Sequence, residues 1–559
     1  LAIDEAHCIS DWGYDFRPDY KRIINILPFL PVNMPVLATT ATANKRVKDD
    51  VCAQLGDGIQ VFRGKLTRES LYLQAIRFPK RSQRLAWLAD ILPQIEGTGI
   101  IYTATTRDAE QVSEWLRSRG IEAWPYYGTL KGMTDEESRA RRLELEDALA
   151  ENEVKALVAT SALGMGYDKP DLAFVIHYQS PGSVVSYYQQ VGRAGRGIPQ
   201  AHGVLLSGDE DDDIQKYFIN QAFPQERLVN KILSELEESG RTMKTAEIID
   251  RVNGSEKKIT AALKFLCAES PAPVAVAEQD PIKYARTVID YELPHKTFER
   301  LSELREAEWQ IMQDYLDHDG CLMEFLSTEL DDLDVKPCGK CENCDPSLAL
   351  TTDYSHETAL AAGEYLENVF IPIKPRQLVG ERFPVYEFPR NLAVKGLMGQ
   401  IGRALCRWGE AGWGEIAKDG KEGGAFDPRL VEASAKMIVE RWAPEPFPTW
   451  VAFVPSHQHP ALVADFAQQL ADRLGLPCLD IVAKVRKNKQ QKFMQNTSFR
   501  CANLDGVFEI QGDVQEGPVL LIDDAVDSKW TLTVITALLL KAGSGPVHPF
   551  AIMSTDTSS

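Results

Sequence analysis

Apolar positions along this chain come in short runs that end abruptly on polar residues, and these runs alternate with stretches of helical period. LAI runs into Asp4-Glu5, and PVLA (Val36, Leu37, Ala38) runs into TTAT before a helix start. GTGIIYTATTRDAEQVSEWLRSRG reads as a strand, a threonine-rich turn and an amphipathic helix, with Val112, Trp115 and Leu116 on one face. VKALVATSALGMGYDKPDLAFVIHY reads as a strand, a glycine-containing turn and a second strand. Strands separated by helices predict an α/β domain around a parallel sheet. The rhythm changes after the acidic run GDEDDD (residues 208–213). RLVNKILSELEES, TAEIIDRVN and SEKKITAALKFLCAE predict three helices, the last with Ser255 as its N-cap. PVAVAEQDPIKYARTVIDY alternates as a β-wing does. HETALAAGEYLENVF and LMGQIGRALCRWGEAGWGEI read as helical or helix-turn stretches, followed by a Gly- and Pro-rich segment with an embedded helix. The βα rhythm then returns: WVAFVPS, PALVADFAQQLADRLG, GPVLLIDDAVDSKWTLTVITALLLKAG and HPFAIM predict a small doubly wound α/β domain.

A chain of 559 residues exceeds one core, so several domains are expected. The boundaries predicted are 1–76, 77–208, 209–300, 301–348, 349–444 and 445–559. Hydrophobic residues make up 44% and charged residues 25%, an ordinary globular composition, and no apolar run is long enough to cross a bilayer. The expected location is the cytoplasm, in association with the nucleoid. The net charge of −20 excludes a generally basic nucleic-acid coat but leaves local basic grooves open. Three helices and a wing make a winged helix, with Lys257, Lys258 and Lys264 as candidate phosphate contacts; a protein-binding or purely structural winged helix is the alternative. Four of the ten cysteines cluster as C-x16-C-x2-C-x2-C: Cys321, Cys338, Cys341 and Cys344. Four thiolates make a closed and therefore structural zinc site. The other six (Cys8, Cys52, Cys267, Cys406, Cys478, Cys501) read mostly as small core residues.

A strand ending in Asp-Glu is the way P-loop NTPases hold magnesium: Asp4 would bind Mg²⁺, directly or through water, and Glu5 would polarise the attacking water. Thr40 and Thr42 follow, with hydroxyls suited to couple a nucleotide site to a neighbouring domain. SYYQQVGRAGRG places Arg193 and Arg196 three apart on a predicted helical segment, both facing one way, as candidate arginine fingers. In this order the motifs resemble the second half of the motor of RecQ-family ATP-dependent DNA helicases. DEAHCISDWGYDFRPDY resembles that family's motif II with its aromatic-rich loop, with Tyr14 where the family usually has His and Asp11 where it often has Gln. The resemblance implies DNA sensing by Trp12, Tyr14, Phe16 and Arg17, whose rings stack on bases while the guanidinium pairs with phosphate. The catalytic set expected is Asp4, Glu5, His7, Arg193 and Arg196. Thr40, Thr42, Gly164, Gly166, Asp168 and Gln189 are expected on the nucleotide side, and Thr160 on the DNA side. The zinc spacing also occurs in this family, although basic residues usual after the first cysteine are Leu322 and Met323 here. The winged helix precedes the zinc cysteines, whereas in the best-known members it follows them. No G-x-x-x-x-G-K-[ST] run occurs, so the triphosphate-cradling half is expected upstream and this chain alone is expected not to hydrolyse ATP. The function implied is that of an ATP-dependent 3′-to-5′ DNA helicase in repair and recombination. ATP, Mg²⁺ and Zn²⁺ would be its cofactors and single-stranded DNA and duplex junctions its partners; single-strand-binding or repair proteins are unidentified.

In the tail, a buried strand ending in Asp523-Asp524 and a loop leading into a helix suit a phosphorylated sugar. Amides at the helix start would take phosphate and the carboxylates ribose hydroxyls or Mg²⁺. This resembles the phosphoribosyl-pyrophosphate loop of type I phosphoribosyltransferases, closest to the competence-protein group, which also has a stretch like QKFMQNTSFR. Ser528 and Thr531 are the candidate contacts beside Asp523 and Asp524. The usual loop is Thr-Thr-Gly; here it is Asp527-Ser528-Lys529, which removes a glycine and adds a charge that repels phosphate. Phosphoribosyl pyrophosphate is the ligand this resemblance implies, and a fold retained for binding or docking is the other reading. KVRKNKQQK (residues 484–492) reads as a DNA-backbone contact or a flexible solvated loop, the second being favoured. The rival functions are a phosphoribosyl-transferring enzyme with a regulatory helicase half and a DNA-binding scaffold without a motor.

Overall fold

The computed structural model describes residues 1–9, 20, 23, 26, 29–31, 34–40, 44–56, 58–163, 167–279, 281–332, 335–368, 371–410, 412–456 and 459–555. Two units emerge. One comprises Leu1–Val229, Ala261–Ala275 and Arg286–Leu366; the other comprises Asn230–Thr260, Val276–Ala285 and Glu367–Ser559.

The first unit is organised by a six-stranded sheet. Its order is Leu71–Arg77, Ala201–Ser207, Phe174–His177, Gly99–Tyr102, Ala156–Ala159, Ala123–Tyr126, and every pair is parallel. A parallel sheet is buried on both faces, which is why its strands read as unbroken apolar runs. Ile100, Leu157, Val175 and Leu205 point into one core, and Ile101, Val158, Ile176 and Val204 into the other. The second core is closed by helices Arg81–Ile91 and Thr106–Ser118, with Val112, Trp115 and Leu116 buried as the spacing predicted. The first core is closed by helix Val184–Val191 and by residues of helices His295–Leu316 and Leu322–Glu329.

The N-terminal segment is smaller. Strand Ala2–Ile3 pairs in parallel with Leu37–Ala38, and helix Lys45–Leu55 follows, capped by the Asn44 side chain on Val47 N at 3.0 Å. The run Val36-Leu37-Ala38 is not the buried strand its composition suggests. Val36 is 41% and Leu37 61% exposed, because the small cluster of Ile3, Ala6 and Ile9 covers one side of a two-stranded sheet only.

The acidic run at 208–213 opens helix Asp211–Gln221, where carboxylates suit the helix N-terminus, and two of its carboxylates, Glu210 and Asp211, face the buried Arg84. Two further expectations change. Residues 349–444 are not a separate helical linker. Ala362, on helix His356–Asn368, belongs to the second core of the first unit, with Tyr365 packed against it. Strands Ile371–Ile373 and Gly402–Arg407 belong to the tail sheet. Ala404, Leu405 and Cys406 are all buried, and so short an apolar run has no period that separates strand from helix.

The tail sheet runs Ile371–Ile373, Gly402–Arg407, Val547–Ser554, Val519–Val526, Trp450–Phe453, Cys478–Leu479. Its first pair is antiparallel and the rest parallel. Helix Trp530–Lys541 packs on one face with Val519 and Leu521, and helix Pro460–Leu474 on the other with Leu520 and Ile522. The central strand continues to Val526, so Asp523 and Asp524 lie inside it rather than at its end. Met243–Lys244 pairs antiparallel with Ile282–Arg286 in a three-stranded sheet that also takes in Val274–Gln279. The predicted helices nearby are Glu226–Ser239, Thr245–Arg251 and Glu256–Ala268, and Ser255 Oγ accepts from Lys258 N at 3.3 Å as an N-cap does.

Candidate nucleotide and metal sites

Asp4, Glu5 and His7 are brought together with Thr39 and Thr40. The Asp4 carboxylate accepts from Thr39 Oγ1 at 2.7 Å and from Glu5 N at 2.9 Å, and these bonds hold it below the usual carboxylate range. Thr39 N donates to Ile3 O and Ala6 N to Thr39 O, both at 2.9 Å, so the threonine pair is laced to the first strand through its backbone. His7 is buried, with Nδ1 3.0 Å from Thr40 Oγ1 and 3.3 Å from Glu5 Oε2. Glu5 has φ 50°, the left-handed region that a non-glycine residue enters only under local constraint. Thr40 is thereby placed beside His7. Thr39, which orients Asp4, was not singled out by sequence reasoning; its only signal was the doubled threonine of LATTAT.

Arg193 and Arg196 are not on a helix. Helix Val184–Val191 ends one residue before Gly192, and Gly195 takes φ 71°. A Cβ at Gly195 would lie 2.8 Å from Ser70 Oγ, so the turn needs glycine for space as well as for conformation. The two arginines consequently part. Arg193 donates to Tyr167 O at 3.0 Å, and Arg196 pairs with Asp168 at 2.7 Å. Gln189 is half-buried, and its neighbour Gln190 contacts His177 Nε2 at 2.7 Å. Thr160 is half-buried, with its N donating to Tyr126 O at 3.2 Å. Trp12, Tyr14, Phe16, Arg17, Thr42, Gly164 and Gly166 lie outside the described residues.

The four clustered cysteines converge. Their Sγ atoms lie within 4.8 Å of one another. Cys321 is 3.5 Å from Cys338 and 3.9 Å from Cys341, near the ~3.8 Å edge of a tetrahedron with zinc–sulfur bonds of about 2.3 Å. Backbone amides point at the sulfurs, as thiolates require: Cys338 N to Cys321 at 3.1 Å, Cys341 N to Cys338 at 3.3 Å and Leu322 N to Cys341 at 3.4 Å. The hydrogen bonds from the Cys338 thiol and from backbone amides favour the Cys341 thiolate, holding that thiol below its ordinary value. The loop carrying them covers the edge strand Leu71–Arg77. Glu342 N donates to Leu73 O at 3.0 Å, and Ala75 N donates back to the Glu342 carboxylate at 2.7 Å. An otherwise open sheet edge is thereby closed.

Lys257 and Lys264 are exposed and Lys258 is half-buried. In the tail, Asp523 is buried and its carboxyl is pushed well above the usual range by burial and by the adjacent Asp524, which pairs with Lys421 at 3.0 Å. The loop beyond it is occupied by its own side chains. Asp527 pairs with Arg500 at 2.9 Å, Ser528 is buried with Arg376 Nε donating to its carbonyl at 3.4 Å, and Lys529 takes φ 67° where the resembling loops carry glycine. Thr531, one residue into the helix, is half-buried.

Two family models match the chain: "DEAD/DEAH box helicase" over residues 1–50 and "Helicase conserved C-terminal domain" over residues 83–197. The ATP-dependent DNA helicase RecQ of Bacillus subtilis is 36% identical over 229 residues, 41% of this chain and 37% of that protein. Over the matched part the chain is similar to RecQ-family helicases. The RecQ-like DNA helicase BLM of Xenopus laevis is 37% identical over 217 residues, 38% of this chain and 15% of that protein. The probable ATP-dependent DNA helicase RecS of Bacillus subtilis is 26% identical over 389 residues, 68% of this chain and 73% of that protein. The chain thus spans well under half the length of the RecQ and BLM relatives. Four of the six strands of the first unit's sheet lie within residues 83–197, the span matched by the helicase C-terminal domain model. Among the described residues no helix is long and apolar enough to cross a membrane.

Proposed function

We propose that the protein is an ATP-driven DNA helicase of RecQ type that moves 3′ to 5′ and acts in repair and recombination, in association with the nucleoid. The observation that carries this reading is the Asp4–Glu5 group tied through Thr39 and Thr40 to the segment leading into helix Lys45–Leu55. Asp4 is oriented to bind Mg²⁺, directly or through water, and Glu5 to polarise the water that attacks the γ-phosphate. Arg193 and Arg196 supply positive charge to the same phosphate when the two RecA-like domains close. Arg196 reaches it only by exchanging Asp168 for the nucleotide. Cys321, Cys338, Cys341 and Cys344 hold Zn²⁺ in a structural role, since four thiolates leave no open position for chemistry. The helices and three-stranded sheet within 226–286 act as a winged helix that grips duplex DNA, with Lys257, Lys258 and Lys264 on phosphates. Phosphoribosyl pyrophosphate is not part of this reading, because Asp527, Arg500 and the buried Ser528 fill the loop that would take it.

The test is DNA-stimulated ATP hydrolysis by this chain joined to a RecA-like domain that carries a triphosphate-binding P-loop. Glu5→Gln and Arg196→Ala are each expected to lower turnover at least ~100-fold, on the scale of an arginine finger. DNA binding with turnover unaffected by Glu5→Gln refutes the assignment.

A further inference from the structure

The basic run 484–492 is the most cationic stretch of an acidic chain, and it is not a free loop. Strand Val482–Lys484 pairs antiparallel with Phe508–Ile510, and Val485 N donates to Val507 O at 2.9 Å. Lys489 exchanges two hydrogen bonds with the Asn503 side chain, at 3.0 and 2.8 Å. The residues just beyond it are fastened to the end of helix Thr245–Arg251. Asn253 Nδ2 donates to Phe493 O at 2.9 Å, and Gln495 N donates back to Asn253 Oδ1 at 2.8 Å. The buried Asn496 amide donates to Ile249 O at 2.8 Å and Val252 O at 2.7 Å, satisfying carbonyls that a helix end leaves open. Ser498 Oγ donates to the Asp250 carboxylate at 2.5 Å.

This seam fixes where the charges lie. Lys492 is one residue from Phe493, and Lys257 and Lys258 begin the helix that starts three residues after Asn253. Lys257, Arg486, Lys487, Lys489 and Lys492 are exposed, Lys258 is half-buried, and among the described residues none of the six makes an ion pair. Arg251, also at the seam, is compensated by Glu235 at 3.9 Å. Cations held near one another without carboxylate partners retain a net field that only an external polyanion neutralises. Regularly spaced phosphates do this at the least loss of entropy, because each contact releases a counterion. We infer that the 484–492 run and the first turn of helix Glu256–Ala268 form one composite surface for a nucleic-acid phosphate backbone, with the Asn253–Asn496 seam as its spine. The tail therefore extends the motor's grip on DNA. The inference rests on reading the chain as a DNA motor and adds a second, tail-borne part to its track.

The experiment measures binding of a fluorescent forked DNA to this chain across salt concentrations. Replacing Lys487, Lys489 and Lys492 with Gln is expected to weaken binding at least tenfold and to reduce the salt slope by about 1 per lysine. Asn253→Ala with Asn496→Ala, which loosens the spine and keeps every cation, is expected to weaken binding without changing the composition of charge. Hydrogen exchange on the wild-type chain is expected to show protection of 484–492 and 253–258 together on DNA binding. Unchanged affinity in the loop variant, with loss in Lys257→Gln/Lys258→Gln, overturns the composite surface while leaving DNA binding intact. Absence of DNA binding by the wild-type chain overturns both. Binding of anionic vesicles or inorganic phosphate, with no salt-dependent DNA affinity, also overturns it.

Discussion

Replacing Arg84 with Met tests whether the acidic run at 208–213 is a structural counter-charge. The Arg84 side chain is 0% exposed and faces Glu210, which accepts its hydrogen bond, and Asp211 at 3.6 Å, with the guanidinium 4.7 Å over the Tyr178 ring. Burial works against its charge, yet Tyr178, Glu210 and Asp211 together hold the guanidinium above its ordinary value. Burial pushes the Asp211 carboxyl up to about 6 even with Arg84 beside it. Without Arg84, Asp211 can escape by protonating. At pH 7 that escape limits its added cost to about one pH unit, or ~1.4 kcal/mol. Glu210 loses the hydrogen bond and the charge of Arg84 as well, keeping only Arg81. The expected loss is therefore about 3 kcal/mol, the lower end for breaking a buried ion pair from one side. Asp211 binds its proton more tightly folded than unfolded, so its contribution favours the folded state at acid pH and is lost as pH rises from 3.8 to about 6. The variant's deficit should accordingly shrink at pH 5, where Asp211 is largely neutral with or without Arg84. Urea unfolding at pH 7.5 and pH 5.0 measures both numbers. A deficit under 1 kcal/mol, or one that grows at pH 5, refutes the counter-charge argument.

Removing metal from the cysteine cluster with a chelator, or replacing Cys341 with Ala, is expected to expose the edge strand Leu71–Arg77. Hydrogen exchange at Leu73 and Ala75 should rise, with zinc content falling from one equivalent to none; unchanged exchange in a metal-free sample would sink the idea. His177 is buried, and burial lowers its pKa to about 4, so it resists the proton it would take when unfolded. The stability it contributes is present above pH 6.5 and is lost as pH falls towards 4, by up to about 3 kcal/mol. Unfolding curves of His177→Gln should lack that part of the acid dependence, and an identical pH profile for the two proteins would contradict it.

The parts of the fold written in local pattern were legible. The parallel strands announced themselves as short apolar runs, and four cysteines at tight spacing can converge with little chain to order. Punctuation by glycine was harder. G-R-A-G-R keeps the spacing of a helical face, but Gly192 and Gly195 end the helix, so Arg193 and Arg196 turn to different partners. Charge alone does not report burial: nothing in GDEDDD marks Glu210 and Asp211 as the partners of the buried Arg84. The seam at Asn253 and Asn496 was invisible for a different reason. It joins residues more than 240 positions apart through side-chain amides and backbone carbonyls, and neither residue type carries a periodic signal.

Tyr315, on the helix leading to the cysteine cluster, has its hydroxyl 3.4 Å from that of Tyr187. The Tyr187 ring lies 5.0 Å from His177, which stacks on Tyr102 at 5.3 Å. Tyr102 feels the charge of Arg193, which lowers its otherwise raised pKa. All four rings are buried and close-packed, so no one of them can change rotamer without displacing the next. The segment that carries the cysteine cluster is thus in continuous contact with Arg193, so under the function proposed above loss of metal from that cluster is expected to alter turnover without any contact to nucleotide. It also explains why His177 must stay neutral: a charge in the middle of the stack would have only Gln190 to meet it.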